Sequence, residues 1–197
     1  MTAIVGAIIV VTIVALSIIV GILTSRTVEP VTNQTNRQVY YLGSSSNTDT
    51  ILFQLEKGTS NIQRIESLAP LASIDSGSIL IIDGNWIGNP NATLSKTAAA
   101  IKPLILNGTP VIIIDGSDVI ISLAIEDENL SYISASGNSE VPSYGVCYNA
   151  TTGLTSSFGS FIGGEYDSAL KQTVASEYNW ASDLIAGLSG HTPQNGS

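Results

Sequence analysis

Two aspartates stand at matching points of this sequence. Asp83 closes the run Ser78-Ile79-Leu80-Ile81-Ile82-Asp83-Gly84, and Asp115 closes Val111-Ile112-Ile113-Ile114-Asp115-Gly116, 32 residues further on. Carboxylates at the ends of neighbouring strands would hold a divalent cation or work as acid and base. The same Asp-Gly pair also makes a plain turn with a helix-capping carboxylate. A second polar stretch, Gly43-Ser44-Ser45-Ser46, sits where backbone amides and hydroxyls would meet an anion at a helix start. It lacks the Gly-x-Gly-x-x-Gly spacing and a phosphate-binding Lys, which leaves a polar turn as the simpler reading.

Other catalytic patterns fall short. Ser168-Ala169-Leu170-Lys171 has the Ser-x-x-Lys form without its companion motifs. No Gly-x-Ser-x-Gly elbow occurs, and the single His191 lies in the C-terminal tail, so a Ser-His-Asp triad has no placed base. Cys147 is the only cysteine, which excludes an intrachain disulfide and, with one His, a zinc cluster; a core-filling thiol is expected. Trp86, beside Asn85 and Asn89, either packs into the core or stacks on a sugar. These residues imply no catalytic set and no cofactor.

The elements that must position the two aspartates are readable around them. Each is preceded by a continuous apolar run, and between them lies the helical pattern Leu94–Leu106, ended by Asn107-Gly108. Such runs suit a parallel sheet covered on both faces, and the spacing fits one strand-helix-strand unit. Strands are further expected at 38–42, 61–68, 130–134 and 144–148, and helices at 50–57, 118–128 and 165–186. The stretch 149–160 is turn-rich and reads as part of a hairpin. In the last helix, Leu170, Val174, Tyr178, Ala181 and Ile185 form one stripe. The expected fold is α/β, a mostly parallel three-layer sandwich of Rossmann-like or flavodoxin-like kind, over residues 38–189.

Charge and polar composition narrow the partners. Sixteen acidic against seven basic residues leave a net charge of −9, which opposes binding to nucleic acid. The sequence carries Asn-x-Ser/Thr at Asn33, Asn91, Asn107, Asn129, Asn149 and Asn195, with Pro110 weakening the third and a tail position weakening the last. Together with a Lys-poor surface, these sequons suggest an exported, glycosylated domain.

The N-terminus sets the location. From Ala3 to Leu23 no residue is charged, and a helix of that length crosses a bilayer's hydrocarbon of about 30 Å. It is apolar on all sides, so it needs lipid or other helices around it. Gly6, Ala7, Ala15, Ser17 and Gly21 are small positions where neighbouring helices would approach closely. The nearest cation, Arg26, comes after the run instead of before it, which by charge alone places the domain in the cytoplasm. Loss of a basic leader from a longer precursor reconciles that with the sequons.

An uncharged run such as Thr2-Ala3-Ile4-Val5-Gly6-Ala7-Ile8-Ile9-Val10-Val11, joined through a hinge to a polar domain, resembles type IV pilin-like proteins, archaeal pilins and archaellins especially. Val5 stands where bacterial members commonly carry an acidic residue. The resemblance covers residues 1–29 and implies leader removal and a filament cored by bundled helices. The expected organisation is a filament-core or transmembrane helix over 1–29, a linker over 30–37, the domain over 38–189 and a tail over 190–197. The implied role is a subunit of an extracellular, cell-surface filament, partnered by copies of itself and held in the membrane before assembly. The competing reading is a single-pass anchored domain that binds a small ligand, cation or sugar near Asp83 and Asp115.

Overall fold

The computed structural model describes residues 37–44, 46–88, 93–128, 130, 139–160 and 162–189. The helix expected over 1–29, nearly all of the linker, the strand expected at 130–134 beyond Leu130, and the tail lie outside the described residues. The chain divides into two compact units after Pro30, and the fold belongs to the second, Val31–Ser197.

That unit is a mixed α/β fold on a six-stranded sheet. The strands are β1 (Val39–Leu42), β2 (Ile62–Ile65), β3 (Ile79–Asp83), β4 (Val111–Ile114), β5 (Ser143–Asn149) and β6 (Leu154–Ser160), in the spatial order β2-β1-β3-β4-β5-β6. β2, β1, β3 and β4 run parallel, while β5 and β6 are added antiparallel as a hairpin. The helices are α1 (Thr48–Leu55), α2 (Leu94–Leu106), α3 (Val119–Ile125) and α4 (Tyr166–Ser189).

Burial explains why the two Ile-rich runs became central strands. Every residue of β3 and β4 is buried, as their lack of apolar/polar alternation requires. Alternate side chains feed two separate cores. On one face Leu80, Ile82, Val111 and Ile113 pack against Ile101, Leu104 and Ile105 of α2 and Ile120, Ile121 and Ile125 of α3. On the other, Ile79, Ile81, Ile112 and Ile114 pack against Ile51 and Leu55 of α1 and the stripe Leu170, Val174, Tyr178, Ala181 and Ile185 of α4. Each such side chain contributes about 1.5–3 kcal/mol on burial, so both layers are needed to hold the sheet.

Local signals set the helix limits. α2 starts where the Thr93 side chain accepts the Lys96 amide, and it ends at Asn107 before Gly108, whose φ is 82°. α1 begins two residues earlier than its apolar pattern suggests, at Thr48. α4 runs three residues past its expected end. Its Tyr178 hydroxyl donates to the Gly58 carbonyl at 3.1 Å, tying it to the turn that closes α1.

Candidate functional site

Asp83 and Asp115 come together at the carboxyl edge of the sheet, as their sequence positions require: β3 and β4 are parallel neighbours, with Asp83 opposite Ile114. Their Asp-Gly turns are pressed together so closely that a Cβ on Gly84 would lie 2.3 Å from the Asp115 carbonyl oxygen. Asp115 itself takes the left-handed conformation at φ 57°, and its amide donates to the Pro142 carbonyl at 2.8 Å.

The donors around these carboxylates come from elements far away in sequence. Asp83 is fully buried; its Oδ2 accepts from the Tyr41 hydroxyl at 3.0 Å and its Oδ1 from the Asn85 amide at 2.9 Å. Tyr41 reaches it from β1 because Gly43 has no side chain where the phenol passes; a Cβ there would lie 2.4 Å from that oxygen. The same hydroxyl lies 3.3 Å from Thr48 Oγ1, at the start of α1. Burial pushes the Tyr41 phenol above its ordinary range; Thr48 lowers it and Asp83 raises it again, so the phenol keeps its proton and donates.

Asp115 Oδ2 gathers three donors: Asn85 Nδ2 at 2.8 Å, Asn47 Nδ2 at 3.1 Å and the Tyr166 hydroxyl. Asn47 stands at the N-cap position of α1 without capping it, and its Nδ2 also reaches the Tyr166 oxygen. Tyr166 opens α4, and its phenol is raised by desolvation first and then by Asp115. The cluster thus ties β1, β3, the β4 turn and the starts of α1 and α4 at the point where strand order reverses between β1 and β3. Open α/β sheets use that crevice for ligands.

Here the chain's own donors already engage both carboxylates. A cation at Asp115 would displace three donors, and Asp83 has no solvent-exposed surface from which to meet a substrate. Among the described residues no three His, Cys, Asp or Glu side chains assemble for a metal. Trp86 is buried in the α2/α3 core, so it packs and does not offer a face to a sugar. Ser168 is exposed and accepts from Gln172 at 3.2 Å. The arrangement is a lock. Tyr166→Phe deletes one donor from it and is expected to cost about 1 kcal/mol in urea unfolding, while leaving Mg²⁺ and Ca²⁺ without effect on the midpoint.

Sequence reasoning found the two aspartates but not Asn47, Tyr41, Thr48 or Tyr166 as their partners. It also missed Glu177. That residue of α4 is fully buried under β5, with Oε1 accepting from the Ser143 hydroxyl at 2.5 Å and Oε2 buried without a partner. Burial pushes its carboxyl up to about 8, against a smaller opposing effect of the Ser143 bond. Cys147 is buried on the same strand, its thiol pushed up to about 11 by burial, as a core thiol should be.

Two of the six sequons, at Asn107 and Asn149, lie within the described residues, and the fold treats them differently. At Asn107 the sequon's Thr109 is fully buried, its hydroxyl donating to the Asp75 carbonyl at 3.1 Å. At Asn149 the side-chain oxygen accepts the amides of Thr151 and Thr152 at 2.9 and 3.2 Å on an exposed turn. Asn33, Asn91, Asn129 and Asn195 lie outside the described residues, as do Gly6, Ala7, Ala15, Ser17 and Gly21. No protein-family model matches the chain, and comparison with curated proteins and with solved structures finds no match.

Proposed function

We propose that this chain is a structural subunit of an extracellular, type IV pilus-like filament, its residues 1–29 forming a hydrophobic helix in the core and its α/β domain carried outside. The observation that carries the reading is the uncharged run Ala3–Leu23, joined to a domain with two complete cores of its own. A segment apolar on every side is stable only in lipid or among like helices, and bundling copies of it provides the second environment. The domain, flavodoxin-like in its 2-1-3-4 parallel strand order, supports a display role because the two aspartates at its carboxyl edge are already bonded to its own side chains. Among the described residues no helix is long and apolar enough to cross a membrane.

The experiment separates assembly from anchoring. Gly6→Leu with Gly21→Leu adds bulk where helices would pack yet keeps the run apolar. Cell fractionation should still find the double variant in the membrane, and electron microscopy of the cell surface should show filaments in wild type and none in the variant. Wild-type cells without filaments, or a variant that polymerises normally, would overturn the reading in favour of a lone anchor.

A further inference from the structure

The two edges of the sheet are built in opposite ways. β2 has four residues, exposes Gln63 and Arg64, and leads into an Arg64–Glu66 ion pair at 3.2 Å. Shortness and charge of this kind keep an edge from pairing with another chain. β6 has none of these devices. All seven of its residues stay in register with β5 without a bulge, and no charged residue or proline occurs from Ser143 to Gly164. Among the described residues nothing pairs with its outer side.

We propose that β6 is a pairing edge for a second copy of this chain, the two strands running antiparallel about a two-fold axis at Ser157. Charge selects the place, and the sequence of the strand selects the partner. Two molecules of net charge −9 repel each other over most of their surfaces, and β6 lies in a long stretch that adds nothing to the repulsion. The sequence of the strand is also self-complementary in that register. Ser157 meets its own copy, Phe158 faces Ser156, Thr155 faces Gly159 and Leu154 faces Ser160, so each large side chain lies across from a small one. A two-fold contact needs a patch that fits itself in this way.

The neighbouring helix continues the surface. Trp180 of α4 stacks on Phe158 with ring centroids 5.7 Å apart, and beside it Leu184 and Gly187 line a groove of about 360 Å³ with Asp183 at its wall. Pairing of the strands into one continuous sheet puts the two α4 helices on the same face of it. Leu154, at the other end of β6, is 67% exposed and gains cover from the partner strand. This contact lies wholly within the domain and stands whether or not the N-terminal helices bundle.

The test uses the full-length chain in detergent, oxidised under air. Ser157→Cys should give a disulfide-linked dimer in more than half of the chains, because the residue on the axis meets itself; Cys147 is buried and stays out of the reaction. Arg64→Cys, on the other edge, should give little. Ser157→Lys sets two ammonium groups against each other and should weaken dimerisation at least tenfold by sedimentation, with an unchanged circular dichroism spectrum. Bundled N-terminal helices alone would not bring two copies of residue 157 together. Ser157→Cys crosslinking no faster than Arg64→Cys overturns the proposal, and so does efficient mixed crosslinking between Ser157→Cys and Gln63→Cys chains, which reports head-to-tail pairing of β6 with β2.

Discussion

Between pH 4.5 and about 8 the domain should lose stability as the pH rises, and Glu177→Gln should remove that loss. Glu177 is sealed between α4 and β5, where burial lifts its carboxyl from the ordinary 4.5 to about 8. In the folded chain it therefore keeps its proton through neutral pH, whereas the unfolded chain gives it up above 4.5. The unfolded state binds fewer protons across this window, so stability falls with pH and levels off above the folded value. Displacement of that size corresponds to on the order of 5 kcal/mol, which is comparable to the whole stability of many domains. Among the described residues no opposing charge offsets it: the cause that lowers the value is the neutral Ser143 hydroxyl. Glutamine keeps the shape and the acceptor for Ser143 without an ionisable proton. Urea unfolding of both proteins at half-unit pH steps measures the effect, since the other acidic residues contribute alike to each. Parallel curves would show that Glu177 is solvated and ionised in the folded protein.

The position of Glu177 was visible in the sequence, three residues after Val174 and four before Ala181 on the apolar stripe of the last helix, where a carboxylate does not belong without a partner. The sequence did not show that the partner would be one serine hydroxyl from β5. The same division runs through the fold. The Ile-rich runs determined β3 and β4 because a strand without polar alternation has to be covered on both faces, and the stripe of α4 showed which side it buries. The limits of α2 were legible because Thr93 and Asn107-Gly108 are local capping signals. α1 was displaced by two residues because Asn47 and Thr48 spend their side chains on Asp115 and Tyr41, and not on signals read within the helix. At the carboxyl edge the aspartates were found by repetition, whereas their donors arrive from 42 residues before Asp83 and 51 after Asp115. Such contacts depend on strand order, which spacing alone leaves open.

The tightest point of that edge is Gly84, and Gly84→Ala should be among the most damaging single changes in the domain. A Cβ on Gly84 would lie 2.3 Å from both the Asp115 carbonyl oxygen and the Gly116 Cα, distances at which atoms overlap. The neighbours are backbone atoms, so no side chain can rotate away. Nor can the second turn retreat easily: the Asp115 amide is bonded to Pro142, and β4 is hydrogen-bonded into the sheet on both sides. Relief requires the strand ends to separate, which stretches the Asn85–Asp115 bond of 2.8 Å and moves the buried Asp83 away from Tyr41. Overpacking with loss of a buried polar network puts the cost at about 3 kcal/mol or more. Gly116→Ala should come next at a lower cost, because its nearest backbone contact is 2.7 Å and its other close neighbour is the Ile113 side chain at 3.0 Å. Gly187→Ala provides the opposite sign: with nothing within 4 Å in a helix, it should stabilise by up to about 1 kcal/mol. Chemical unfolding of the three variants at one pH checks the order. A Gly84→Ala protein within about 0.5 kcal/mol of wild type, the range of an ordinary surface change, would mean that the two Asp-Gly turns do not touch, and the lock built on them would have to be abandoned.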